Sequence, residues 1–174
     1  MRIAAYNVEW FTALFDADDA LLNDDGWSAR HDVTRAQQTA ALGQVFQAMD
    51  ADAVMIVEAP DQNRSRATLR ALGGFADHFG LRTSQAVMGF ANDTQQEIAL
   101  LYDPARLTVS HAPQGPFAPP EGLAGAPRFD SALRIDLDID ATEDRVVFSK
   151  PPLELAIETV GGFAFHMIGV HLIS

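Results

Sequence analysis

The sequence predicts an α/β fold, and three observations lead there. Strand and helix signals alternate through the first half of the chain, and strand-like runs dominate the second. Hydrophobic residues make up 48% of 174 positions, enough for one sizeable core and too few for two ordinary domains. A single globular unit over residues 1–174 follows.

The elements are read in chain order. "RIAAYN" is a short apolar run of strand length, taken as buried, and the polar, acidic "ADDALLNDDGWSARHD" after it is a surface loop. Over residues 32–49, Val33, Ala36, Ala40, Ala41, Val45 and Ala48 recur near helical spacing, with Asp32 as N-cap and Asp50 closing the run. "AVMIVE" is a continuous apolar strand, and "RSRATLRALGG" is a second helix stopped by Gly73 and Gly74. "EIALLYD" and "LTVSHA" are strands separated by "PAR", where Pro104 suits the turn of an antiparallel hairpin.

The proline- and glycine-rich "PQGPFAPPEGLAGAP" is an exposed loop, and "ALRIDLDID" alternates like a half-exposed strand. "PLELAIETVGGFAFHMIGVHL" reads as two strands joined through "VGG". Both faces of the last are apolar, so it is expected to be buried and to deliver His171 at its end.

Composition narrows the function classes. The formal charge is −12, and such a surface repels polyanions over about 8 Å at physiological salt and lacks the basic footprint of a nucleic-acid reader. A phosphate-bearing substrate therefore needs a locally supplied cation. The absence of cysteine removes disulfides, thiolate metal sites and a Cys nucleophile together. "MRIAAYNV" lacks the pattern of a signal peptide, and no apolar run approaches the roughly 20 residues of a membrane span. A cytoplasmic protein is expected, although a removed leader would leave no trace.

Three strands share a feature: "RIAAYN" ends in Asn7, "AVMIVE" in Glu58 and "FHMIGVH" in His171. In α/β sheets the groups that carry chemistry gather beyond the carboxyl ends of strands. An amide oxygen and a carboxylate are hard ligands suited to Mg²⁺, which takes few protein ligands and keeps several waters.

Taken in order, "AYNVEW", "DADAVMIVE", "IALLYDPARLTV", "SKPPLELAIE" and "FHMIGVHLIS" resemble the successive motifs of the endonuclease/exonuclease/phosphatase superfamily, the DNase I-like fold. The resemblance spans nearly the whole chain. It implies a four-layer α/β sandwich of which residues 1–174 form the N-terminal half, with a mixed sheet and helices on one face, and a metal-dependent phosphoesterase that hydrolyses a phosphodiester or phosphomonoester by Mg²⁺-assisted attack of water, with Mn²⁺ as a substitute ion. It further implies that Asn7 and Glu58 hold the metal, that Asn7 and His171 are catalytic, and that His171 and Lys150 face the substrate phosphate. Relatives often carry Arg where Lys150 stands, so a point charge replaces a bidentate fork. The family's Asp-x-Asn and terminal Asp-His motifs are absent from the chain. The expected partners are a phosphate ester (nucleic acid, phospholipid headgroup or small nucleotide) and a missing C-terminal half or another covering partner.

Plainer readings stand beside these. Asn7 alone would be a turn cap, Glu58 the first exposed residue past a buried strand, and His171 a hydrogen-bonded core histidine. His166 reads as structural, and His31, His78 and His111 as solvated. Glu9 and Asp61 lie near enough in sequence to reach an ion, yet loop charges are as common. Trp10 and Phe11 read as cover for the core, and the acidic run from Asp16 to Asp25 lacks the ligand spacing of a calcium loop. The alternative function is a non-catalytic α/β binding or assembly module.

Overall fold

The computed structural model describes residues 1–91, 95–113, 134–135, 142–145, 148 and 150–172. The first element, β1 (Ile3–Asn7), is followed by a 3-10 turn at Phe11–Leu14, whose Phe11 and Leu14 are buried. The acidic loop beyond it is tied down by bridges pairing Phe15 with Leu21 and Trp27 with Thr34.

Helix α1 (Arg35–Met49) starts at Thr34 and not at the expected Asp32. The Thr34 hydroxyl accepts from the Gln37 backbone while the Gln37 side chain accepts from the Thr34 N–H, a reciprocal capping box. Asp32 instead lies in the preceding turn at φ 56°. The buried face also differs from the expected one. Leu42, Gly43 and Phe46 face the core with Gln38 and Thr39, whereas Ala40, Ala41, Val45 and Ala48 face solvent. Apolar periodicity misleads here because the inner face is partly polar: Gln38 Nε2 donates to the Glu9 carbonyl at 3.2 Å, and Gly43 leaves a notch for the Phe79 ring.

Strand β2 (Ala53–Ala59) leads to α2 (Thr68–His78), which runs through Gly73 and Gly74 instead of stopping there. Its inner stripe of Thr68, Ala71, Leu72, Phe75 and Ala76 explains why. Phe75 packs edge-on against Phe11 and Phe46, with ring centroids 5.2 and 5.1 Å away. Burying it outweighs the roughly 1 kcal/mol that each helical glycine costs.

The remaining strands are β3 (Gln85–Met88), β4 (Glu97–Tyr102), β5 (Leu107–His111), β6 (Arg134–Ile135), β7 (Asp144–Arg145), β8 (Leu153–Thr159) and β9 (Ala164–Gly169). One sheet has the order β1-β2-β4-β3, with β1 parallel to β2 and the other pairs antiparallel. The chain is thus an α/β protein with a mixed sheet. β1 is an edge strand among the described residues and is alternately exposed, not buried as expected. The second sheet, β5-β8-β9, is antiparallel, and β6 pairs with β7.

The expected hairpin of β4 with β5 does not form. Asp103 turns the chain between sheets, its carbonyl accepting from Arg106 and Leu107 and its Oδ1 from the Ala105 N–H. β5 pairs with β8 instead. The joining of β8 to β9 through Gly161 and Gly162 follows the sequence reading. Most of "PQGPFAPPEGLAGAP" and of "ALRIDLDID" lies outside the described residues.

Side-chain alternation along β2 and β4 creates two cores. Val54, Ile56, Ala99 and Leu101 pack against the helices, while Ala53, Met55, Ile98 and Leu100 meet Leu153, Leu155 and Ile157 of the second sheet. The described layers are therefore helices, mixed sheet and antiparallel sheet. β9 buries only one face: Phe165 and Met167 face the inter-sheet core, while Ala164, His166 and Ile168 are exposed. No helix among the described residues is long and apolar enough to cross a membrane.

Candidate functional site

Parallel pairing of β1 and β2 places Asn7 beside Val57, so the two strands end together. At that point the ladder of β2 with β4 slips between Val57 and Ala59, and Glu58 adopts a left-handed backbone at φ 61°. This conformation is unfavourable for a residue with a Cβ, and here it accompanies a carboxylate held among three polar side chains. Asn7 Nδ2 donates to Glu58 Oε1 at 3.1 Å, and Gln96 Nε2 donates to Oε2 at 2.8 Å.

His171 arrives from the other sheet. Its Nε2 lies 3.6 Å from Glu58 Oε1, and both side chains are only 14% exposed. The approach depends on Gly169, the last residue of β9: a Cβ there would lie 2.6 Å from Met55 Sδ and 3.0 Å from Ile98 Cγ2. His171 Nδ1 is buried without a hydrogen-bond partner. The strand-end residues Asn7, Glu58 and His171 are thus brought together.

Lys150 is buried one step away. Its ammonium donates to the Gln95 carbonyl at 2.7 Å and sits 3.5 Å from that of Gln96, beneath the side chain that holds Glu58. Gln95 and Gln96 both have left-handed backbones, at φ 66° and 58°. Gln96 is the site residue that sequence reasoning missed; an uncharged amide before a strand carries no recognisable signal. Its backbone N–H donates to Asp61 Oδ1 at 3.0 Å, and the Asp61 N–H donates to Thr12 Oγ1 at 3.1 Å. Buried Asp61 therefore braces this corner, while Glu9 pairs with Arg30 at 3.3 Å.

Beside Glu58 opens a cleft of about 420 Å³ whose walls include Trp10, Asp61, Arg66 and Gln96. Phe11 is core, as expected, but Trp10 is 47% exposed at φ 62° and so does not cover the core. His111 is not solvated either: it is half-buried against the Phe90 ring at 4.9 Å, and burial pushes its pKa down against the opposing pull of Glu154. His166, read as structural, lies exposed on the outer face of β9. In the acidic loop, Asp16 accepts from two loop N–H groups, Asp19 from that of Ala67, and Asp24 pairs with Arg35.

Asn7 and Glu58 offer one amide oxygen and one carboxylate. No three His, Asp or Glu side chains among the described residues are grouped to hold an ion. By chemistry the Asn7 and Glu58 oxygens are hard donors of the kind Mg²⁺ takes, and in the structure the two Glu58 oxygens accept from Asn7 and Gln96. Comparison with protein-family models, curated proteins and solved structures found no match. What fold and site define is an α/β protein with a carboxylate, amide and imidazole corner where two sheets meet.

Proposed function

We propose that the chain is the N-terminal half of a metal-dependent phosphoesterase with a DNase I-like four-layer sandwich. The observation carrying this reading is the meeting of Asn7, Glu58 and His171, from three strand ends and two sheets, around one left-handed glutamate. The ordered sequence motifs, which contain the same three residues, support it as well. Asn7 and Glu58 would hold Mg²⁺ or Mn²⁺, which when bound neutralises charge on phosphoryl oxygens and acidifies water. The Asn7 amide and His171 imidazole, which lie against Glu58 in the structure, would turn N–H donors to the ester oxygens on which charge grows as water bonds to phosphorus and the ester bond breaks. The leaving oxygen departs with a proton. The family's water-activating motifs belong to the C-terminal half, and their absence lowers the rate by about 10² to 10⁴-fold.

The test is hydrolysis of bis(p-nitrophenyl) phosphate by this chain with Mg²⁺. A slow rate is expected that Glu58→Ala and chelation both abolish, and identical rates for wild type and Glu58→Ala would overturn the proposal. The second reading, a non-catalytic module covered by a partner or second copy, is favoured by the exposed Phe163 and Ile168 on and beside β9. The same assay separates the two, because a binding module hydrolyses nothing.

A further inference from the structure

We propose that Arg66 is a substrate-binding residue of the Glu58 cleft, its guanidinium taking an anionic oxygen of the phosphate ester; this rests on the hydrolase reading above. Arg66 is the cationic side chain among the described residues lining the cleft, where it faces the acidic company of Glu58 and Asp61. Its Nη1 is buried and has no hydrogen-bond partner. A guanidinium N–H shut away from water without an acceptor is costly, so packing alone does not account for it. The side chain as a whole is only half-buried, so a turn of the guanidinium toward the cleft would bring that nitrogen to a phosphoryl oxygen as its acceptor, and the planar fork of arginine suits such an anion.

Several other arginines are paired within the protein: Arg30 with Glu9, Arg35 with Asp24, Arg70 with Asp19, and Arg82 with three aspartates. Arg66 shares the walls of the cleft with Glu58 and Asp61 and has a buried guanidinium nitrogen without an acceptor. Lys150, the cation expected to meet phosphate, has its ammonium against the Gln95 and Gln96 carbonyls.

The backbone of Arg66 is also held in place before any ligand arrives. Asn63 Oδ1 accepts from the Arg66 N–H at 3.0 Å, and the Asn63 N–H donates to the Arg66 carbonyl at 3.1 Å. Just beyond, Thr68 Oγ1 donates to the Pro60 carbonyl at 2.7 Å and the Thr68 N–H to Gln62 Oε1 at 3.2 Å. The loop from β2 to α2 is thus closed on itself, with Arg66 set into the cleft wall. Such preorganisation lowers the ordering cost of binding.

The experiment is calorimetric titration of inorganic phosphate, without metal or turnover, into the full chain and its Arg66→Ala and Arg66→Lys variants, with thermal melts of each. Arg66→Ala is expected to bind phosphate about 10 to 100-fold more weakly, with Arg66→Lys in between and melting temperatures unchanged or raised. Should Arg66→Ala misfold, weaker phosphate binding by a folded Arg66→Lys still supports the role. Absent binding to wild type, binding unchanged by the substitutions, or loss of folding in both variants overturns it. Arg66-dependent phosphate binding without hydrolysis would leave this role standing and remove the hydrolase. Glu58-dependent hydrolysis untouched by Arg66→Ala would do the reverse.

Discussion

Glu58 carries two burdens, a left-handed backbone and a half-buried carboxylate. For an ordinary L-residue that backbone costs about 1–2 kcal/mol, and glycine escapes the penalty. Glu58→Gly is therefore expected to be more stable than Glu58→Ala by about 1 kcal/mol, the reverse of their order in a helix interior. Urea denaturation of the two variants checks this; equal midpoints would mean that the bulge relaxes once the carboxylate is gone. Asn7, Glu58 and His171 were legible in the sequence because strand ends are where polar side chains escape the ladder. Gln96 and Arg66 were not. A glutamine carries no charge to draw notice, and the arginine lies in "RSR", a run that reads as solvated until its buried nitrogen is seen.

At the scale of elements, the continuation of α2 through Gly73 and Gly74 is the feature most open to test. A Cβ at either position would meet nothing within 4 Å, and neither glycine has a positive φ. Gly74→Ala is expected to stabilise the fold by about 0.5–1 kcal/mol, by removing unfolded-chain freedom and improving helix propensity. No change in denaturation midpoint would restore the shorter helix that the sequence implies. Most helices and strands, and the joining of β8 to β9, were legible from the sequence, whereas other partners and faces were not. β4 and β5 look like a hairpin locally, yet the inter-sheet core of Leu100, Leu107 and Leu155 draws them into different sheets. β3, with only four residues, gave no signal of its own.

At the scale of the whole molecule, the end of the mixed sheet opposite Glu58 is held by charge. Arg82 donates to Asp50, Asp52 and Asp103, and so ties the segment entering β2 to the turn that leaves the sheet. The hydrogen bond from Arg82, reinforced by the Arg2 N–H, holds the Asp52 carboxyl below the ordinary value of 3.8. A lowered folded-state pKa contributes stability that is present above the unfolded value and lost as pH falls through the folded one. Stability is therefore expected to decline below about pH 4, and Asp52→Asn to flatten that part of the profile in thermal melts taken from pH 2 to 7. A profile unchanged by the substitution would place the acid sensitivity elsewhere.

The apolar runs alone do not give the layered order of helices, mixed sheet and antiparallel sheet, because a two-sided core depends on which strands alternate toward which neighbour; only the family resemblance implies stacked layers. The layering bears on the meeting of Glu58 from one sheet with His171 from the other, which the close packing at Gly169 permits. Any ligand grasped by both side chains is a cross-brace between sheets, so its binding free energy adds to the work of prying the layers apart. Occupancy of the corner and cohesion of the sandwich are then one thermodynamic quantity seen from two sides, and loosening the sheets at Gly169 weakens a ligand's hold without altering a single group that touches it.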